Sequence, residues 1–406
     1  MPASESTLRC LWIARYIPHP MDAGAKVYSA RLAESVAATG ASVRFLGFGR
    51  VSAVPPQSRI EWVAVPGEKR GRAPAFFSTL PVAAATDATS AFATELDRQL
   101  REPWDAIVFD GYGTGWALER CLAHRNRHAS APPVLVHVSH NHEETLWRSM
   151  ARESSESMPM RIVHWQNYIK VRALERRIVR NVDLLTTITD EDAREFRRTT
   201  AREASLTLTP GHAGVRTPSR VIDARVPRRV ILVGSFRWVL KQENLRRFIA
   251  LADPVFAKHD IELDVVGDVA GNLLNDLQES TRATRFCGFI DDLTPYFAQA
   301  RMAVVPELIG GGFKLKFLDY IFARVPVATL SQAAAGFPAA IREATLARDD
   351  FESLIEAIVS HIDYFRELNR MHERAYSAAE SQFDWQDRGL WLQQAMASTR
   401  RARPGR

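Results

Sequence analysis

Residues 304–337 read VVPELIGGGFKLKFLDYIFARVPVATLSQAAAGF. Val304 and Val305 close a short apolar run, and Pro306 stops it. Gly310, Gly311 and Gly312 then give three consecutive positions without a Cβ. A helical pattern follows from Lys314 to about Ala323, and a second apolar run spans Val325 to Leu330. Strand, glycine loop, helix, strand is the βαβ grammar of a parallel sheet. Glycines ahead of a helix let a ligand approach the backbone, and the free N–H groups of a first helical turn favour an anion. With Lys314 and Lys316 beside the loop and the carboxylate of Asp319 further on, the stretch reads as a nucleoside-diphosphate site. The same lysines also fit a solvated helix face. The glycines match neither the GxGxxG dinucleotide spacing nor the GxxxxGK[ST] phosphate loop.

Working outward, the same grammar recurs on both sides. LRCLWIARYIP from Leu8 is a strand ending at Pro18, followed by a loop with Gly24 and by a helix over Val27–Ala38. Further strands are expected at Ala41–Gly49, Ile60–Pro66, Trp104–Asp110 and Pro132–Ser139, with a helix over residues 84–100. Thr189 is the expected N-cap of a helix with Asp192 at N3. RVILVGSFRW restarts the pattern with a strand ending at Gly234, then a helix from Gln242 to Ala252 stopped by Pro254. The basic, proline-containing stretch 217–229 reads as a linker. Two α/β domains are therefore expected, one over 1–215 and one over 216–380. Residues 381–406 are expected to form a helix packing back toward the first domain, with a basic tail. Two cores also suit a chain of 406 residues, longer than one usual hydrophobic core.

Net charge is +6 with a pI near 9.4, which suits an anionic ligand or an acidic membrane surface and demands neither. Cys10, Cys121 and Cys287 form no CxxC pair, and Cys10 and Cys287 read as buried thiols. No stretch approaches the roughly 18 apolar residues that span a bilayer, so the cytoplasm is the expected compartment, with peripheral contact at the inner face of the membrane as an option. HNHEE at 140–144 lacks the HExxH spacing, and no metal is expected. His140 or His142, at a strand's carboxyl end, would orient a hydroxyl or a pyrophosphate oxygen, or cap the next helix. Residues 151–161 read as a mobile lid. The basic helix Ile162–Arg180, with Ile169, Leu174 and Ile178 inward, would lie against an anionic membrane or present a solvated face. The basic loop at 67–81, with Phe76 and Phe77, reads as a binding element or a surface excursion.

GSFRW (234–238), VVGD (265–268) and the run from Phe286 to Gly336, with DAGAK (22–26), HNHEETLW (140–147) and 175–192, resemble the retaining nucleotide-sugar glycosyltransferases of family 4. The resemblance implies the GT-B fold: α/β, two Rossmann-like doubly wound domains facing across a cleft. It implies a sugar donor, UDP- or GDP-linked, as co-substrate with no tightly bound cofactor. The acceptor would be a glycan, a lipid-linked glycan or a small molecule, with no role for nucleic acid. Asp319 matches the second of the family's two glutamates, which contacts the ribose. The first would fall at Gly311, so that carboxylate is absent, and Glu307 lies four residues earlier. Arg237 and Lys241 are the candidates for the diphosphate, with Gly234 and the amides of Gly310–Gly312. His140 is the candidate at the reacting centre, and Gly24 would let the diphosphate approach from the N-terminal half. Arg324 stands where a glycine is common. The alternatives are a sugar-nucleotide epimerase or an inverting transferase of the same fold, and a non-catalytic GT-B protein that binds a glycan or a partner.

Overall fold

The computed structural model describes residues 7–67, 69–71, 75–153, 158–237, 239–308 and 313–402. The chain divides into two compact units, Met1–Pro210 with Trp385–Arg406, and Gly211–Asp384.

The first unit is built on a seven-stranded parallel sheet: β1 (Arg9–Tyr16), β2 (Ser42–Phe48), β3 (Glu61–Val65), β4 (Ala106–Asp110), β5 (Val134–Val138), β6 (Leu184–Thr187) and β7 (Leu206–Thr207). Their order across the sheet is β3-β2-β1-β4-β5-β6-β7. β4 and β5 are buried at every position, as strands covered on both faces must be, and so read as unbroken apolar runs. The second unit carries β8 (Arg229–Val233), β9 (Glu262–Val266), β10 (Thr284–Gly288), β11 (Met302–Val305), β12 (Val327–Leu330) and β13 (Leu346–Arg348), in the order β10-β9-β8-β11-β12-β13. Counted from its own first strand, each sheet is wound 3-2-1-4-5-6, and the first sheet carries a seventh strand at its edge. In such a sheet the crevice opens at the carboxyl ends of the two strands where the winding reverses. Here those are β1 and β4 in one unit, β8 and β11 in the other.

Several local expectations are corrected. The helix after β8 runs Val239–Lys258, straight through Pro254. A proline inside a helix costs about 3 kcal/mol. Leu245, Phe248, Ile249 and Phe256 on that helix are all buried, and each contributes about 1.5–3 kcal/mol. Burial wins. The expected helix 84–100 is two, Val82–Asp87 and Ser90–Gln99, because Thr89 caps the second by accepting from the Phe92 N–H at 3.1 Å. Of the expected lid, residues 154–157 lie outside the described residues and Met158–Arg161 begin the helix Met158–Asn181. On that helix Leu174 and Ile178 are buried with Val171, but Ile169 is 53% exposed. At 3.6 residues per turn, Ile169 sits about 140° from Leu174. Cys287 is half-buried rather than buried.

Arg324 follows the helix Lys316–Phe322 with φ +55°, in the left-handed region. Its guanidinium donates to the Thr217 carbonyl at 2.8 Å, pairs with Glu373 and lies over the Tyr376 ring. Those contacts hold an arginine where backbone geometry alone favours glycine.

Candidate active site

In the second unit the site grows from the ends of β8 and β11. Gly234 follows β8, and its N–H donates to Val266 O at 3.0 Å. Gly267, at φ +127°, lies so close to Gly234 that a Cβ would meet the Gly234 carbonyl oxygen at 1.8 Å. The VVGD glycine is thus required by the approach of the two loops. Beyond it, Asp268 forms an ion pair with Arg237, whose side chain is otherwise exposed.

Glu307 follows β11 by two residues and is 7% exposed. Its carboxylate receives Lys314 Nζ at 3.0 Å and Lys316 Nζ at 2.5 Å. Lys241 lines the same small cavity as Glu307 and Lys316, together with Phe236 and Asn244. Three ammonium groups around one carboxylate leave a formal excess of two positive charges. Burial alone would raise the Glu307 carboxyl, but Lys316, Lys314 and Lys241 hold it well below the usual carboxylate range. Burial lowers the Lys241 pKa, and Lys316 and Lys314 add to this against the pull of Glu307. A dianion entering here would relieve that repulsion.

The loop between is anchored at its start. Leu308 N–H donates to Asn244 Oδ1 at 3.3 Å, and Leu308 O accepts from Gln332 at 2.6 Å. Gly310, Gly311 and Gly312 lie outside the described residues. Helix Lys316–Phe322 is fixed to β8 by Tyr320, whose hydroxyl accepts from Val233 N–H at 2.8 Å. Asp319, in the first turn of that helix, keeps 44% of its side chain exposed and has His212 Nε2 at 3.4 Å. His212 itself stacks on Phe322.

Lys241 and Lys314 therefore meet at one point, with Gly234 on the neighbouring strand end. Arg237 stands apart on Asp268. Lys314 and Lys316 converge because Lys314 precedes the helix. Glu307 is not a spare carboxylate for a sugar: both its oxygens hold lysines. Asn244, Gln332 and His212 were not anticipated. A helical asparagine and a turn histidine carry no signature in sequence.

In the first unit, His140 lies just beyond β5 and Asp110 ends β4. His140 Nε2 is 2.5 Å from Asp110 Oδ1, and the Trp12 indole N–H donates to Asp110 Oδ2 at 2.7 Å. Tyr28 meets the His140 ring edge to face and donates its hydroxyl to Leu208 O at 2.8 Å. His142 is buried and tied to Thr145 and Thr199 at 2.8 and 2.9 Å, so it holds the loop rather than a ligand. Thr189 caps its helix as expected, accepting from Asp192 N–H, while Asp192 Oδ1 accepts from His142 N–H. Burial raises Glu143 to about 7, against Asn141 and His140, which pull it down. Gly24 is the first residue of the helix Gly24–Ala38, whose start has no side-chain cap. Among the described residues no cluster suited to a metal ion occurs.

The family description "Glycosyl transferase 4-like domain" matches residues 23–212, and "Glycosyl transferases group 1" matches residues 227–363. A comparison with curated protein sequences finds no match. Among solved structures, the chain is similar to WaaG, a glycosyltransferase involved in lipopolysaccharide biosynthesis, with a TM-score of 0.67 at 19% identity over 96% of this chain and 99% of that one. It is similar to HepE of Anabaena, solved with UDP and glucose, with a TM-score of 0.66 at 13% identity over 96% and 100%. A glycosyltransferase from Rickettsia africae gives a TM-score of 0.63 at 9% identity over 98% and 100%. These likenesses show the GT-B fold.

Proposed function

From the premise that this chain belongs to the family 4 glycosyltransferases and is a GT-B enzyme, we propose that it moves a sugar from a nucleoside-diphosphate donor with retention at the anomeric carbon. The acceptor is a glycan, lipid-linked or small-molecule hydroxyl. The reading places the donor in the second unit and the acceptor in the first.

One observation carries it: the convergence of Lys241, Lys314 and Lys316 on buried Glu307 at the β8/β11 switch point. As the glycosidic bond breaks, negative charge grows on the β-phosphate of the leaving nucleoside diphosphate. Fixed ammonium groups in a water-poor site stabilise that charge more in the transition state than in the ground state. In this reading the amides of Gly311 and Gly312 and the guanidinium of Arg237 add donors, and Asp319 accepts from the ribose hydroxyls. His140 contacts the transferred sugar or the acceptor, and Gly24 leaves room for the diphosphate. No second carboxylate is assigned as nucleophile.

The test is a calorimetric titration with UDP, GDP and their sugars, followed by turnover and proton NMR of the product. UDP comes first, because the HepE structures were solved with UDP and with UDP-glucose. A micromolar dissociation constant for one nucleoside diphosphate and an unchanged anomeric configuration are expected. An inverted product removes retention, and a folded chain that binds no nucleoside diphosphate removes the donor site.

A further inference from the structure

On the helix Met158–Asn181, Met158, Ile162, Trp165 and Ile169 are 66%, 64%, 46% and 53% exposed. Their spacing of four, three and four residues puts all four within about 60° of one another around the helix axis. The stripe is therefore a face and not a scatter of single apolar residues. Phe77 joins it. Lys170, next to Ile169, donates its ammonium to the Phe76 carbonyl at 2.6 Å and lies over the Phe76 ring. That tie fixes the Phe76–Phe77 tip against the same helix and leaves Phe77 86% exposed.

Nothing in the first unit's core requires this face to be apolar. The opposite side of the same helix is already buried through Val171, Leu174 and Ile178. Contiguous exposed apolar surface of this kind marks an interaction site. The charge around it selects the partner. From Met158 to Leu174 the chain has Arg161, Lys170 and Arg172 and no carboxylate. Arg161 is exposed, and Arg172 is half-exposed at the far end of the stripe, 3.5 Å from Glu144. An apolar stripe with an indole, bordered by cations, is the pattern of a helix lying in the headgroup region of an anionic bilayer. A symmetric contact with a second copy would bring the same cations against one another.

We propose that Met158, Ile162, Trp165, Ile169 and Phe77 form a docking surface through which the N-terminal unit seats on an anionic phospholipid bilayer. The attachment is peripheral: among the described residues no helix is long and apolar enough to cross a membrane. The apolar side chains enter the acyl boundary while Arg161 and Lys170 stay at the phosphates. This goes beyond sugar transfer and does not depend on it.

The test is vesicle co-sedimentation of the full chain without any sugar nucleotide. Phosphatidylcholine vesicles are compared with vesicles that also contain phosphatidylglycerol. The chain is expected to sediment with the anionic vesicles and to be released as salt shortens the screening length from about 10 Å at 0.1 M to about 3 Å at 1 M. Ile162→Ser with Trp165→Ser is expected to lower partitioning about tenfold, and Phe77→Ser to lower it by a smaller factor. Should the double variant lose its melting transition, Phe77→Ser decides alone, since that side chain is 86% exposed and among the described residues its only ring contact is with Phe76. Native protein that stays in the supernatant, or variants that sediment like it, overturns the proposal. So does a dimer in light scattering that the same substitutions convert to monomers, which would assign the face to a second copy.

Discussion

The His140 imidazole and the Asp110 carboxylate meet at 2.5 Å, and the remaining Asp110 oxygen is taken by the Trp12 indole. Burial alone would lower the His140 pKa, but the charge and hydrogen bond of Asp110 raise it. A group whose folded pKa lies above its unfolded value contributes stability that is complete below the unfolded value and is lost as pH climbs through the folded one. His140→Ala leaves the buried carboxylate with the indole alone. It is expected to cost about 3 kcal/mol at about pH 6 and clearly less at about pH 9. Urea denaturation at the two pH values measures this, and an equal loss at both would show that His140 is neutral in the folded chain.

The lysine cluster gives a prediction with separate readouts. Among the described residues Lys241 forms no ion pair, whereas Lys314 and Lys316 are both on Glu307. Lys241→Ala should therefore be tolerated by the fold, since burial disfavours its charge and the pull of Glu307 is opposed by Lys316 and Lys314. It should slow transfer about 100-fold, the scale expected when one fixed donor to a developing charge is removed. Glu307→Ala is the reverse case: it strands buried ammonium groups, with an expected loss of about 3–5 kcal/mol. Thermal melts beside kcat measurements separate the two. A Lys241→Ala protein that melts early and turns over normally would contradict the assignment.

Asp319 and the lysines should be separable by ligand. Asp319 keeps 44% of its side chain accessible beside His212, and in the proposed reading it accepts from the ribose hydroxyls. Asp319→Ala is expected to weaken nucleoside diphosphate binding about tenfold, the loss of one or two hydrogen bonds to a charged acceptor. Binding of inorganic pyrophosphate, which has no ribose, should be unchanged. Titration calorimetry with both ligands gives the answer, and equal losses would move Asp319 from the ribose to the phosphates.

These predictions draw unequally on sequence. The strands themselves were legible, because runs buried on two faces, such as AIVFD and VLVHV, cannot hide among amphipathic helices, whereas the doubly wound arrangement rested on the family resemblance. His140 was a candidate because it follows a buried strand, β5, whose carboxyl end lies beside that of β4. Its bond to Asp110 joins the ends of two adjacent parallel strands, a relation that pairing determines and spacing does not. The role of Glu307 was hidden more deeply. In sequence it is one acid after a proline. Only the fold of the β11 loop brings Lys314 and Lys316 back onto it. Pro254 misled in the opposite sense, since a local rule worth about 3 kcal/mol met a buried helix face worth more.

Arg324 offers a test of how this chain accommodates its departure from glycine. At φ +55° a side chain costs about 1–2 kcal/mol relative to glycine. The arginine offsets this through the Thr217 carbonyl, Glu373 and the Tyr376 ring. Arg324→Ala keeps the strained backbone and loses all three contacts, so it should destabilise the second unit by about 2–3 kcal/mol. Arg324→Gly loses the same contacts but relaxes the backbone, and should recover about 1 kcal/mol of that. Urea denaturation of both variants measures the difference directly. Should alanine prove as stable as glycine here, the left-handed conformation carries no cost, and the arginine is held for its contacts alone.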